Sequence, residues 1–284
     1  MDNIWEPVLE PADLWGPEIA DKLGDAIGQR YADIAAAATH KLDQLRSHAK
    51  LAVDLTGGLI DAQSGASARE QIQKSIADAA PLSPPPSETL VEGLPLAVLP
   101  RANSCVTGNG PYNQWGNTWD PRELTHIVHP AAISTPTPRV LHPRVVAVID
   151  GEQEQITGSG CWFNVAVSGR ATLNVEWFFN AGCDVFTLLA GYGYAFIGMY
   201  GSVWGARENR WVDHGGAGLT LADQHYIGIQ EWTGQSRRIS VGFDAIAGGA
   251  YYCAGWLHLH AFAAGLSGAR AEFATVLNPL QVCV

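Results

Sequence analysis

Two imidazoles two residues apart, His258 and His260, stand in the run Tyr251 to Phe262. On an extended strand that spacing puts both rings on one face, which is the simplest way for a strand to offer a metal two ligands. His126 and His129, with Asp120 and Glu123 nearby, repeat the theme at helical spacing, but Pro121 and Pro130 leave little room for a helix between them. Asp213 and His214 are adjacent in a glycine-rich stretch, Trp211 to Leu219, and have the composition of an acid–base pair. No GxSxG elbow supplies a nucleophile beside them. Glu176, Glu231 and Asp244 fall on strand-like segments and could form a glycosidase-type carboxylate pair only if the fold set their separation. Gly191-Tyr192-Gly193 and Gly108-Asn109-Gly110 each lack the third glycine of a dinucleotide fingerprint. The expectation is a chain with no catalytic residues, no cofactor and no committed metal site, His258 and His260 being the metal candidates.

Charge narrows the partners. The net charge is −11, and residues 1–100 carry 15 Asp and Glu against 7 Lys and Arg, while residues 101–284 carry 13 against 10. All four lysines, Lys22, Lys41, Lys50 and Lys74, lie in the first part. The rest of the chain therefore has neither a Walker lysine nor a Schiff-base lysine, and no basic footprint for a phosphate backbone. Nucleic acid is excluded as an expected partner. No run of eighteen apolar residues is present, and the acidic opening lacks the pattern of an export signal, so no membrane span is expected and the protein is placed in a virion or the cytoplasm. The five cysteines are widely spaced and odd in number, which reads as buried reduced thiols.

The elements that would position these residues change period along the chain. Ile19, Leu23, Ile27, Tyr31, Ile34, Ala38, Leu42, Leu45, Ala49, Ala52, Leu55 and Leu59 recur about every 3.6 residues, the period of a straight helix. A shorter helix is expected over Ser67 to Ala80, with Ile72 and Ile76 one turn apart and Pro81 ending it. From Arg144 the period falls to two: Leu173, Val175, Trp177 and Phe179 share one strand face, as do Ile239, Val241 and Phe243. About nine such segments, separated by Gly, Asn and Asp turns, make a sandwich. The predicted fold class is α plus all-β, an N-terminal helical stem followed by an antiparallel, jelly-roll-like β-sandwich head. Its divisions are a stem at 1–80, a proline-rich hinge at 81–94, a proline-rich ordered loop region at 95–143, and the head at 144–284.

Two features suggest contacts with other molecules. The strand Tyr251 to Phe262 is apolar on both faces, with Tyr252, Trp256, His258, His260 and Phe262 on the side away from the expected core. Such a face needs a cover, and a subunit interface, completed by Leu42 and Leu45 of the stem, is the expected one. Tyr112, Trp115 and Trp119 in the loop region form a possible stacking platform for a sugar ring, so a glycan is a second possible partner.

In the order of its parts, the helical stem, proline hinge and glycine- and tryptophan-rich β head, the chain resembles bacteriophage appendage and capsid-decorating proteins. That resemblance implies a non-enzymatic structural or attachment role as a homo-oligomer, a trimer being favoured, docked on other particle proteins through the acidic N-terminal region. The alternatives are a carbohydrate-binding β-sandwich, a metal-assisted hydrolase around His258 and His260, and a β-type pore former. The histidine pair is spaced as in cupins, but Ala264 and Gly265 stand where a cupin glutamate would follow.

Overall fold

A computed structural model describes residues 5–7, 17–56, 62–85, 105–108, 112–119, 130–135, 140–165, 168–207 and 210–283. The described chain is mostly antiparallel β-structure: a sandwich, nearly a barrel, to which the N-terminal helices are applied. The strands are β1 (Trp5–Pro7), β2 (Cys105–Thr107), β3 (Tyr112–Trp119), β4 (Pro130–Thr135), β5 (Val140–Leu141), β6 (Arg144–Val148), β7 (Glu152–Val165), β8 (Gly169–Arg207), β9 (Arg210–His225), β10 (Gly228–Ala245), β11 (Ala250–Leu277) and β12 (Gln281–Cys283). The helices are α1 (Pro17–Thr56) and α2 (Ala62–Ile72), the latter continued by a π-turn at Gln73–Ala77.

Two long strands organise the sandwich. β8 and β11 pair antiparallel along nearly their whole lengths, with a break in register between Gly265 and Ser267. On one side of that break, Trp177–Val185 of β8 lies between β10 and the end of β11; on the other, Tyr194–Gly205 lies between β9 and the start of β11. The first layer is completed by β5, β6, β12 and β2, the second by β7, β3 and β4. Alternation then does what the period-two pattern requires: Leu173, Val175, Trp177 and Phe179 meet Cys253, Leu257 and Leu259 in one buried core. The layers approach closely at Gly255, where any Cβ would lie 2.5 Å from Val175 Cγ1, so only glycine fits.

Three expectations are corrected here. The segment 95–143, expected as loop, contributes β2 to β5; Pro130 opens β4 at the sheet edge, where its missing N–H costs no ladder bond. The glycine-rich stretch around Asp213 is part of β9 and not a loop. Of the cysteines expected as thiols, Cys105 and Cys283 form a disulfide, because β12 returns the end of the chain alongside β2; Cys161, Cys183 and Cys253 are free and buried. Burial, partly offset by a hydrogen bond with Tyr112, pushes the Cys161 thiol up to about 12.

The helices do not project as a stem. Leu23, Ile27 and Tyr31 of the predicted stripe are buried against Trp115, Ile156, Trp162, Trp204, Tyr252 and Trp256 on the outer face of the second layer. The aromatic face of β11 is thus covered by the chain's own helix. The side chains of Leu42, Leu45 and Trp119 lie outside the described residues, as do His126, His129, Asp120 and Glu123. On the first layer, Ile72 and Ile76 are buried over Gly268, and the segment after Ala77 is fastened to the sheet. Leu82 N donates to Glu272 Oε1 at 2.7 Å, Arg144 Nη2 to Ala79 O at 2.7 Å, and Asn180 Nδ2 to Ser83 O at 2.8 Å. The first residues of the expected hinge are therefore part of the packed structure.

Candidate functional site

His258 and His260 do share a face, and the partners that face gives them are carboxylates. β7 runs antiparallel to β11 and brings Glu152 and Glu154, also two residues apart, beside them. His260 Nε2 lies 2.8 Å from Glu152 Oε1, and His258 Nε2 is hydrogen-bonded to Glu154. α1 supplies the third member of each set: the Tyr31 hydroxyl donates to Glu154, and Arg46 Nη2 to Glu152 Oε1 at 2.6 Å. The result is two parallel relays, Tyr31–Glu154–His258 and Arg46–Glu152–His260, pressed between helix and sheet.

Electrostatics favour ionised carboxylates in both. Burial by itself raises Glu154, but the hydrogen bonds and charges of His258, His260 and Tyr31 outweigh it and hold the group at about 2. Burial likewise opposes ionisation of Glu152, and His260 and Arg46 override it, leaving the carboxyl below its ordinary range. Tyr31 is driven far up, first by burial and then by the Glu154 charge, so it remains a donor. Each imidazole is tied to its own carboxylate, and among the described residues no group of three or more His, Cys, Asp or Glu side chains converges as a metal site would require.

The residues expected at a subunit interface are interior to one chain. Tyr252 and Trp256 are 0% and 1% exposed, and His258 and His260 are buried, while Phe262 is half-buried. Trp256 stacks on Tyr200 at 4.3 Å between ring centroids and donates from Nε1 to Ser202 Oγ at 3.1 Å. The sugar platform is corrected as well: Tyr112 and Trp115 are 0% and 3% exposed, with the Tyr112 hydroxyl donating to Gly108 O and Trp115 lying over Gly158 against Trp256. Neither ring presents a face to a ligand.

The remaining candidates are separated. Asp213 Oδ2 accepts from Arg30 Nη1 of α1 at 2.9 Å, whereas His214 packs edge-on to Tyr251. Glu176 is bound to Arg238 and Asn278, Asp244 to Arg170, and Glu231 is exposed on β10. The residues that sequence reasoning missed are Tyr31, Arg46, Glu152 and Glu154. The one signal for them was the alternation of Glu152 and Glu154 with glutamines ahead of Ile156, which puts two carboxylates on an apolar strand face.

No family model matches the chain, and no curated protein matches it. Among solved structures it is similar to Eiger TNF from S. frugiperda, with TM-score 0.21 and 9% identity over 62% of this chain and 92% of that one. It is also similar to a carbohydrate-binding module, CBM4, with TM-score 0.17 and 8% identity over 58% and 86%. A third likeness is to infectious bursal disease virus, Gx strain, with TM-score 0.13 and 8% identity over 64% and 63%. These TM-scores carry no argument for a shared activity. Among the described residues no helix is long and apolar enough to cross a membrane.

Proposed function

We propose that the protein is a non-enzymatic, homo-oligomeric structural or attachment protein, a component of a particle such as a phage virion, with a jelly-roll-type sandwich as its rigid body. The observation that carries this reading is the apolar connection between β9 and β10. Tyr226, Ile227 and Ile229 are 57%, 66% and 75% exposed and adjoin one another, whereas the other exposed large apolar side chains among the described residues, Leu51, Leu219 and Ile246, are scattered along the sequence. β10 has β8 as its one hydrogen-bonded neighbour among the described strands, so it stands at a sheet edge. Apolar groups held outward at an edge favour a contact that covers them, and the occupant we assign is a second copy of the chain in a closed ring of three. The imidazole relays, buried beneath α1, support the non-enzymatic part of the reading, and the acidic N-terminal region is the proposed dock for other particle proteins.

The native mass tests it. Light scattering on the intact chain should give three subunits, and Ile229→Asp should give monomers with the melting temperature of the parent monomer unchanged. A wild-type chain that stays monomeric at working concentrations overturns the reading.

A carbohydrate-binding reading is favoured by a different observation. A polar groove of about 230 Å³ on the outer face of the first layer is lined by Thr107, Asn174, Glu176, Arg238, Asn278 and Gln281, groups able to exchange hydrogen bonds with sugar hydroxyls. Binding on a glycan array, lost in Glu176→Gln, would favour it over the particle role.

A further inference from the structure

A second cavity lies where the later half of α1 passes over the β6–β7 turn. It encloses about 490 Å³, within the range of small-molecule sites. Arg46, Lys50 and Val53 line it from α1, Asp150 and Glu152 from the turn and the start of β7, and Phe262 from β11.

The charges around it are unequally engaged. Glu152 is already bound by Arg46 and His260, and Asp150 Oδ1 accepts from Gly265 N at 2.8 Å. Lys50 follows Arg46 by four residues, on the same side of the helix. Among the described residues its ammonium makes no ion pair. The positive end is thus the available one, and it faces an apolar wall made by Phe262 and Val53.

The turn that closes the cavity is strained. Ile149 and Asp150 have φ of 46° and 60°, left-handed values that a β-branched residue adopts at a cost. The conformation is held by Ile149 N donating to Ser267 O at 3.1 Å and by Ala263 N donating to Gly151 O at 2.8 Å. Strain of this kind collects at ligand sites, where the surrounding structure over-determines it.

We propose that this cavity binds a small organic anion with an aromatic or branched apolar body, the acidic group on Lys50 and the body against Phe262 and Val53. The site is independent of the oligomeric role above. The test is titration calorimetry on the intact chain with phenylacetate, phenyl phosphate and the neutral phenylacetamide. At least one of the two anions should bind roughly fivefold or more tightly than the amide, the worth of one partly screened ion pair. Which anion is preferred assigns the acidic group. Lys50→Gln should bring anion and amide to within about twofold of each other, and Val53→Trp, which fills the cavity, should abolish binding of both. Lys50 is exposed, so its replacement should leave the melting temperature in place. Equal binding of amide and anions, an unchanged anion preference in Lys50→Gln, or no binding of any of the three probes would overturn the proposal.

Discussion

Replacing Trp256 by alanine distinguishes an internal aromatic seam from a subunit surface. The indole is 1% exposed, stacked on Tyr200 and flanked by Trp115, and its Nε1 donates to the buried Ser202 hydroxyl. An aromatic side chain of this kind removes about 150–250 Å² from water, which at about 25 cal/mol per Å² corresponds to roughly 4–6 kcal/mol. Measured losses for Trp→Ala in cores run about 3–5 kcal/mol, and the forfeited hydrogen bond adds about 1 kcal/mol. Collapse of α1 into the space recovers part of this, so a loss of about 4 kcal/mol is expected. At about 2–4 °C per kcal/mol for a unit of this size, the melting temperature should fall by roughly 8–16 °C. Thermal unfolding followed by circular dichroism, with the native mass measured in parallel, gives both quantities. The fold described here requires a large drop in melting temperature with the mass unchanged below the transition. A drop in mass with the monomer's melting temperature intact would refute it and return Trp256 to an intersubunit contact.

Acid should loosen the helix from the sheet. Because the folded Glu154 carboxyl sits at about 2, below its ordinary 4.5, its contribution is complete above about pH 4.5 and is lost as the pH falls towards 2. The loss is on the order of 3 kcal/mol, and urea midpoints measured between pH 7 and pH 2 should show an acid limb that Glu154→Gln flattens; an identical limb in the variant would contradict the Tyr31–Glu154–His258 relay. The Cys105–Cys283 bond closes a sequence separation of 178 residues, so reduction should cost up to about 5 kcal/mol. Alkylation of the denatured, unreduced chain should label Cys161, Cys183 and Cys253 alone, and labelling of all five would disprove the bond.

Local order was legible in the sequence because it is written in short periods. The 3.6-residue stripe located α1, and Ile72 with Ile76 located the helical segment that packs over Gly268. The period-two code of Thr172 to Phe179 and Arg238 to Ala245 located the inner faces of β8 and β10. The code did not show that Thr172–Phe179, Cys183–Ala190 and Tyr192–Tyr200 are parts of one strand, since β8 bends between layers without a turn. Strands β3 and β4 were hidden by prolines that flank or open them. The two-sided apolar character of Tyr251 to Phe262 announced a covered face, but a pattern within a strand carries no information about what covers it. Tyr31 meets Glu154 across 123 positions and Arg46 meets Glu152 across 106, and such partners are chosen by the closed fold. The disulfide is of the same kind: its two cysteines become neighbours only after β12 has paired with β2.

The position of α1 therefore depends on two different kinds of interaction. The aromatic face of β7, β8 and β11 supplies most of the free energy, but apolar contact is indifferent to direction, and a helix with an even stripe could shift along such a face at little cost. The relays remove that freedom. Tyr31 in the first half of α1 and Arg46 in the second each meet one carboxylate of β7, and each carboxylate is also bound to a histidine of β11. A shifted helix would leave Glu152 and Glu154 buried with half their partners, and an uncompensated buried charge is far more costly than an imperfect apolar contact. The same logic holds on the opposite layer. There Glu272, 0% exposed, receives His142 Nε2 at 2.7 Å together with the Leu82 amide, fixing the segment that follows α2. Residues 17–56 and 62–85 close both outer faces of the sandwich and are registered there by buried carboxylates. A head cut free of them would leave Trp162, Trp204, Tyr252 and Trp256 bare on one layer and Glu272 short of a partner on the other.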